Sequence, residues 1–180
     1  MWQCRMCAES PFTYLFGADK AVPPSEAEPK TKRKTAKKKT RRDESNFQVR
    51  SEEEIQALVK NWQQYAHPRA QEFFAGTEKL QEVLTQLARG IDRNDDPVLG
   101  DEGKCVQWYG NVTKDDNQAA ITMIKPGESA ESVTFVNRVL AFIFATDDSF
   151  EQLMKLPKEP FKMTCGDQLC VHLAHISVAV

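Results

Sequence analysis

The sequence predicts an α+β protein: a helical hairpin over about 51–90, a small strand-containing module over about 104–177, and a basic amino-terminal tail. Three observations lead there. Apolar residues recur at helical spacing from Ile55 to Leu87, and beyond residue 104 the period shortens towards two. Between Lys30 and Arg42 the chain reads KTKRKTAKKKTRR, with nine basic residues and no acid. A chain of 180 residues suits one domain with appendages, because a second full domain would leave both cores thin.

Residues 1–20 carry Trp2, Phe12, Tyr14, Leu15 and Phe16 beside Cys4 and Cys7, too few apolar groups for a core, and read as a docking segment. The lone Cys-x2-Cys of Cys4 and Cys7 is half a zinc site and is read as a pair of reduced thiols. Residues 21–50 combine Pro23, Pro24 and Pro29 with the basic run, and cannot bury enough apolar surface to offset their chain entropy. They are expected to be a disordered linker.

Ser51 with Glu54 has the form of a capping box, and Ile55, Leu58, Val59, Trp62 and Tyr65 then make one apolar stripe. His67-Pro68 should end that helix. Phe73, Phe74, Leu80, Val83, Leu84 and Leu87 belong to a second helical stretch that stops at Gly90. Residues 91–104 form a turn-rich connector, whose Asp92, Asp95, Asp96, Asp101 and Glu102 read as a solvated loop, not a metal site. Val106 to Gly110 is expected to pair as a hairpin with Ala119 to Ile124, and a further extended piece, Ser132 to Thr134, follows the Pro126-Gly127 turn. Val136, Val139, Leu140, Ile143 and Phe144 suit a buried helix, although their β-branched content leaves a strand open. Ser149 caps a short helix that Pro157 must end.

The whole chain carries 24 basic and 26 acidic residues, but from Asp43 onward it has 13 against 22, so an acidic body follows a basic tail. No run approaches the roughly 20 apolar residues that cross a bilayer. Met1 to Lys20 also lacks a basic region leading into an apolar core. The expected setting is soluble and intracellular, with no membrane partner. Five cysteines is an odd number, so metal binding is favoured over a complete disulfide framework.

The closing stretch supplies Cys165, Cys170 and His175 in a Cys-x4-Cys-x4-His array, three donors of the kind zinc takes in a tetrahedral site. The fourth must come from elsewhere, and Cys105 is the remaining cysteine of the body. His172 is the alternative to His175. Four protein ligands would close the coordination sphere, which makes the zinc structural. Zinc in comparable small sites contributes roughly 10–16 kcal/mol to folding.

Cys105-Val106-Gln107-Trp108-Tyr109-Gly110, Asn137-Arg138-Val139 and the Cys165 to His175 loop together resemble the zinc-loop endonucleases of the His-Me finger type, which include His-Cys box homing endonucleases and HNH proteins. The resemblance covers about residues 104–177. It implies a ββα-like module in which Cys105, Cys165, Cys170 and His175 share the zinc. It also implies a general-base histidine at position 163, where this chain has Met163, and a Mg²⁺-holding asparagine after His175, where ISVAV offers none. A thioether cannot take a proton from water at neutral pH, so the expectation is a protein without catalytic residues.

The function expected is therefore that of a non-enzymatic interaction or scaffold subunit of a nuclear complex. The alternative is a DNA-binding module. The closing motif of the DNA-binding MH1 domains of signalling transcription factors is similar to Cys170 to His175. An active Mg²⁺-dependent endonuclease is the third reading. The run Lys30 to Arg42 is expected to serve nuclear import, and nucleic acid is a possible partner of it through its phosphates.

Overall fold

The computed structural model describes residues 44–157 and 159–177, and the docking segment 1–20, the run Lys30 to Arg42 and the linker up to residue 43 lie outside them. The described part is of mixed α and β type, with five helices and a two-stranded antiparallel sheet. Helix α1 spans Glu52–Gln63, α2 Pro68–Phe73 and α3 Thr77–Arg89. Strands β1, Ala120–Ile124, and β2, Glu131–Phe135, are followed by α4, Val136–Phe144, and α5, Asp147–Met154. No helix among the described residues is long and apolar enough to cross a membrane.

Helix α1 starts where its capping box requires: the Ser51 hydroxyl accepts from the Glu54 amide and the Glu54 carboxylate accepts from the Ser51 amide. It packs against α3, and Ile55, Val59 and Trp62 share one core with Leu80, Val83, Leu84 and Leu87. Tyr65 was expected on the same stripe but is 54% exposed. The helix has already ended at Gln63, so the 3.6-residue period no longer carries Tyr65 inward. His67 starts a helix and does not close one, its side chain accepting from the Arg69 amide at the amino end of α2. The second helical stretch is also broken, by Ala75 in the left-handed region (φ 49°) ahead of Gly76.

The expected hairpin is re-paired. Val106 to Trp108 lies antiparallel to the carboxyl-terminal segment: the Val171 amide donates to Val106 O (2.8 Å), the Trp108 amide donates to Leu169 O (2.9 Å), and Gln107 bridges Cys170. Ala120–Ile124 pairs instead with Glu131–Phe135 across the Pro126-Gly127 turn, where Gly127 has φ 84°. The pairing goes with the seat of Trp108: its ring is buried against the end of α3 while its backbone amide donates to Leu169 O. Opposite residues share a face, so Ile121 with Thr134 and Met123 with Ser132 point into the core.

Gly90 closes α3 with an ordinary φ of −86°, so its lack of a side chain serves space and not a left-handed turn. A Cβ there would stand 2.3 Å from Trp108 Cη2, and one on Gly110 would stand 2.5 Å from Trp108 Cζ2. Two glycines thus make the slot for the indole, whose Nε1 donates to Asn111 O (2.7 Å).

Helix α4 is the centre of the fold, with every residue from Val136 to Ile143 buried. Its last carbonyls are satisfied from α2: Arg69 Nε donates to Phe142 O (2.8 Å), Arg69 Nη2 to Ala145 O, and the His67 amide to Ile143 O (2.8 Å). A cation at a helix carboxyl terminus also suits the dipole. Helix α5 is capped by Thr146 and not by Ser149, whose amide is the donor to the Thr146 hydroxyl.

The last seven residues of the expected linker, 44–50, belong to the folded body. Phe47 stacks on Tyr109 with centroids 4.4 Å apart, and the Gln48 amide donates to Asp92 Oδ2 (2.7 Å). Arg50 is buried and donates to Ala88 O (3.1 Å), Ile91 O (3.2 Å) and Asp95 O. The first of these satisfies a last-turn carbonyl of α3 that α3 cannot satisfy itself and the others hold the connector, a polar role that apolar periodicity does not report. Burial pushes the Arg50 pKa down, and Asp96, Asp92, Asp95 and Glu54 oppose that shift.

The indole slot yields a direct test. Gly90→Ala should destabilise the protein by about 1–3 kcal/mol through overpacking, read as a lower denaturant midpoint with an unchanged slope. An unchanged midpoint would contradict the close approach of Trp108.

Candidate metal centre

The antiparallel pairing of 106–108 with 169–171 carries Cys105 up to the closing loop. That loop is bent by Gly166 at φ 76°, a conformation other residues rarely adopt, with its amide donating to Met163 O (2.9 Å). Asp167 then closes the turn by accepting from the Leu169 amide (2.9 Å), while its other oxygen accepts from Gln107 Nε2 (2.6 Å). The Thr164 amide donates to His175 O (2.7 Å) and the Ser177 amide to Lys162 O (2.8 Å), which fixes the two ends of the loop side by side.

The result is that Cys105, Cys165, Cys170 and His175 present their ligand atoms within 4.8 Å of one another. Among the described residues this is the one convergence of at least three such groups. His175 Nδ1 lies 3.7 Å from Cys105 Sγ and 3.3 Å from Cys170 Sγ. A tetrahedral metal with bonds of about 2.3 Å to sulfur and about 2.0 Å to nitrogen needs S···N edges of about 3.5 Å. The observed pair brackets that value, so the residues are placed where they could hold a metal ion.

The imidazole is oriented for that role. Its Nε2 is 2.7 Å from Glu102 O, and a carbonyl only accepts, so Nε2 carries the proton and the Nδ1 lone pair faces the sulfurs. A second-layer contact of this kind sets tautomer and ring angle in metal sites. His172, the alternative ligand, is buried elsewhere. Its Nδ1 accepts from the Ala174 amide (3.2 Å), capping the short turn Leu173–His175, and its ring leans on His175 with centroids 5.0 Å apart. Burial, then the neighbouring His175, pushes its pKa down.

Burial also pushes the Cys170 thiol up to about 12, and raises Cys105 for the same first cause. Three sulfurs in one place cannot all ionise on their own; a divalent cation inverts that by stabilising the thiolates. The cluster is thus electrostatically suited to a cation and ill suited to stand as three thiolates without one.

The acidic connector is bound up differently. Asp96 Oδ1 accepts from Trp62 Nε1 (3.1 Å) and from the Val98 and Leu99 amides, Asp101 from the Gly103 amide, and Asp95 pairs with Lys104 (2.5 Å). Those carboxylates tie the loop down and do not converge. Met163, at the position of the expected base, bridges Ile176 through its backbone. No residue pattern points to the Glu102 carbonyl, since a backbone acceptor has no residue type. Gln107 with Asp167 was visible only as two ordinary polar residues.

Compared with protein families, with curated proteins and with solved structures, the chain gives no match.

Stripping bound metal with a chelator, or replacing Cys170 by serine, should lower the melting temperature by about 10–20 °C, as expected for loss of a ligand held some thousandfold below its free concentration. A melting curve indifferent to both treatments would argue against any resident ion.

Proposed function

We propose that the chain holds one structural zinc ion through Cys105, Cys165, Cys170 and His175, and works as a non-catalytic interaction or scaffold module of a nuclear complex. The observation that carries this is the convergence of three thiols and one imidazole on a single point. A Cys3His set is consistent with zinc, and four protein ligands leave no position for a water or a substrate. A metal held this way joins the segment before β1 to the carboxyl-terminal loop and supplies no chemistry.

The resemblance to His-Me finger nucleases supports the same reading. The order β1, β2, α4 is compatible with a ββα unit, and Asn137-Arg138-Val139 lies in the first turn of the helix in that unit. Met163 takes the place of the base, and a thioether cannot activate water. The basic run Lys30 to Arg42 supports nuclear import and offers charge to phosphates. It also keeps DNA binding as the second reading, against which stands the acidic balance of the rest of the chain.

Three assays on the purified protein separate these readings. Elemental analysis should return one zinc per chain, and incubation with duplex DNA and Mg²⁺ should leave the DNA intact. Any DNA affinity should depend steeply on salt and disappear when the nine basic residues of the tail are neutralised. Chelator-sensitive cleavage would overturn the non-catalytic reading, and duplex affinity that survives neutralisation of the tail would favour the DNA-binding module.

A further inference from the structure

The four candidate ligands are unequal in their access to solvent. Cys170 is 2% exposed, Cys105 is half-buried and Cys165 is exposed. Cys165 follows Met163 and Thr164 at the outside of the Gly166 turn, while Cys170 sits inside the ladder with Gln107, between the bonded residues Leu169 and Val171. A thiol that ligates a cation is ionised, and an ionised, accessible sulfur beside a second thiol is the arrangement that reacts with peroxides and then resolves to a disulfide.

We infer that Cys165 is an oxidative modification site, oxidised first by a hydroperoxide and then joined to Cys105, so that a disulfide replaces the metal as the tie between the two segments. The inference rests on the metal reading above and concerns regulation of that same site. Its balance is simple. The Cys165 sulfur attacks a peroxide oxygen, an S–O bond forms, the O–O bond breaks, and hydroxide leaves to become water. The Cys105 thiolate then attacks that sulfur; the S–S bond forms, the S–O bond breaks, and a second hydroxide leaves and is protonated. Two thiolates, one hydrogen peroxide and two protons give one disulfide and two waters, with two electrons passing from sulfur to peroxide.

Cys105 is the partner because it is the less buried of the two other thiols. It follows Asp101, Glu102, Gly103 and Lys104, all exposed, whereas Cys170 would have to swing a buried side chain out of a paired backbone. The ligand atoms already lie within 4.8 Å, so a bond of about 2.05 Å requires a short displacement at an exposed turn. The product keeps 105 beside 165 and leaves Cys170 and His175 without the cation. Oxidation thus exchanges one tie for another and spares the fold, and a thiol reductant with zinc restores the first state.

The test uses full-length protein with Cys4→Ser and Cys7→Ser, reduced and loaded with zinc, treated with hydrogen peroxide. A chromogenic chelator follows zinc release, differential alkylation with mass spectrometry follows each cysteine, and circular dichroism follows the fold. The expected result is loss of the bound zinc in step with a Cys105–Cys165 disulfide, Cys165 becoming the first sulfur unavailable to alkylation. Helical signal should be retained, and dithiothreitol with zinc should reverse the change. No zinc in the reduced protein overturns the metal reading and this inference together. Zinc that stays bound under peroxide, first modification at Cys105 or Cys170, or a Cys165–Cys170 product overturns this inference alone.

Discussion

The short antiparallel pairing of Val106 to Trp108 with Leu169 to Val171 is the constraint on which the site depends. It spans about 60 residues of sequence and holds few hydrogen bonds, yet it brings Cys105 to the loop that carries the other three ligands. A two-residue or three-residue ladder is marginal by itself. The indole of Trp108, locked between Gly90 and Gly110, reinforces it, and the proposed metal at its other end would do the same. The tie and the core are therefore coupled, because the residue that seats the ladder is also buried against the end of α3.

Helix α4 links the rest. It is too short to be stable alone and is enclosed on all sides, so its ends must be satisfied by other segments. Arg69 does this at the carboxyl end. At the amino end the Val136 amide donates to Ala119 O (3.0 Å); from the same turn Arg138, only 2% exposed, donates to Glu159 O (2.7 Å) and Pro157 O and lies over the Phe161 ring, while Asn137 Nδ2 donates to Phe161 O (2.8 Å). Burial pushes the Arg138 pKa down. A buried guanidinium is tolerated where its donors meet acceptors, and here Nε and Nη2 meet carbonyls of the segment that leads to Met163 and Cys165. The pair at 137 and 138 thus connects the central helix to the metal loop.

The parts of this arrangement that were legible in the sequence are those that local chemistry decides. The capping box at Ser51, the stripe from Ile55 to Trp62 and the array of Cys165, Cys170 and His175 follow from residue type and spacing, while Cys105 came in as the remaining cysteine of the body and His172 stayed open as a ligand. The pairing of the strands was not legible, because by pattern Val106 to Gly110 is equally suited to either neighbour and the seat of Trp108 between Gly90 and Gly110 is a tertiary fit that no local period reports. The role of residues 44–50 was hidden for a similar reason: Arg50 earns its place through three carbonyls, which leave no mark on hydropathy. The orientation of His175 likewise depends on a carbonyl at residue 102.

The proposed structural metal would account for how so small a closing loop, with an exposed cysteine and a glycine at positive φ, is held beside a well-packed helical core. X-ray absorption at the zinc edge on the reduced, purified protein tests that account most directly. The account predicts a first shell of three sulfurs at about 2.3 Å and one nitrogen at about 2.0–2.1 Å. A shell of oxygen and nitrogen alone, or one with fewer than three sulfurs, would contradict it.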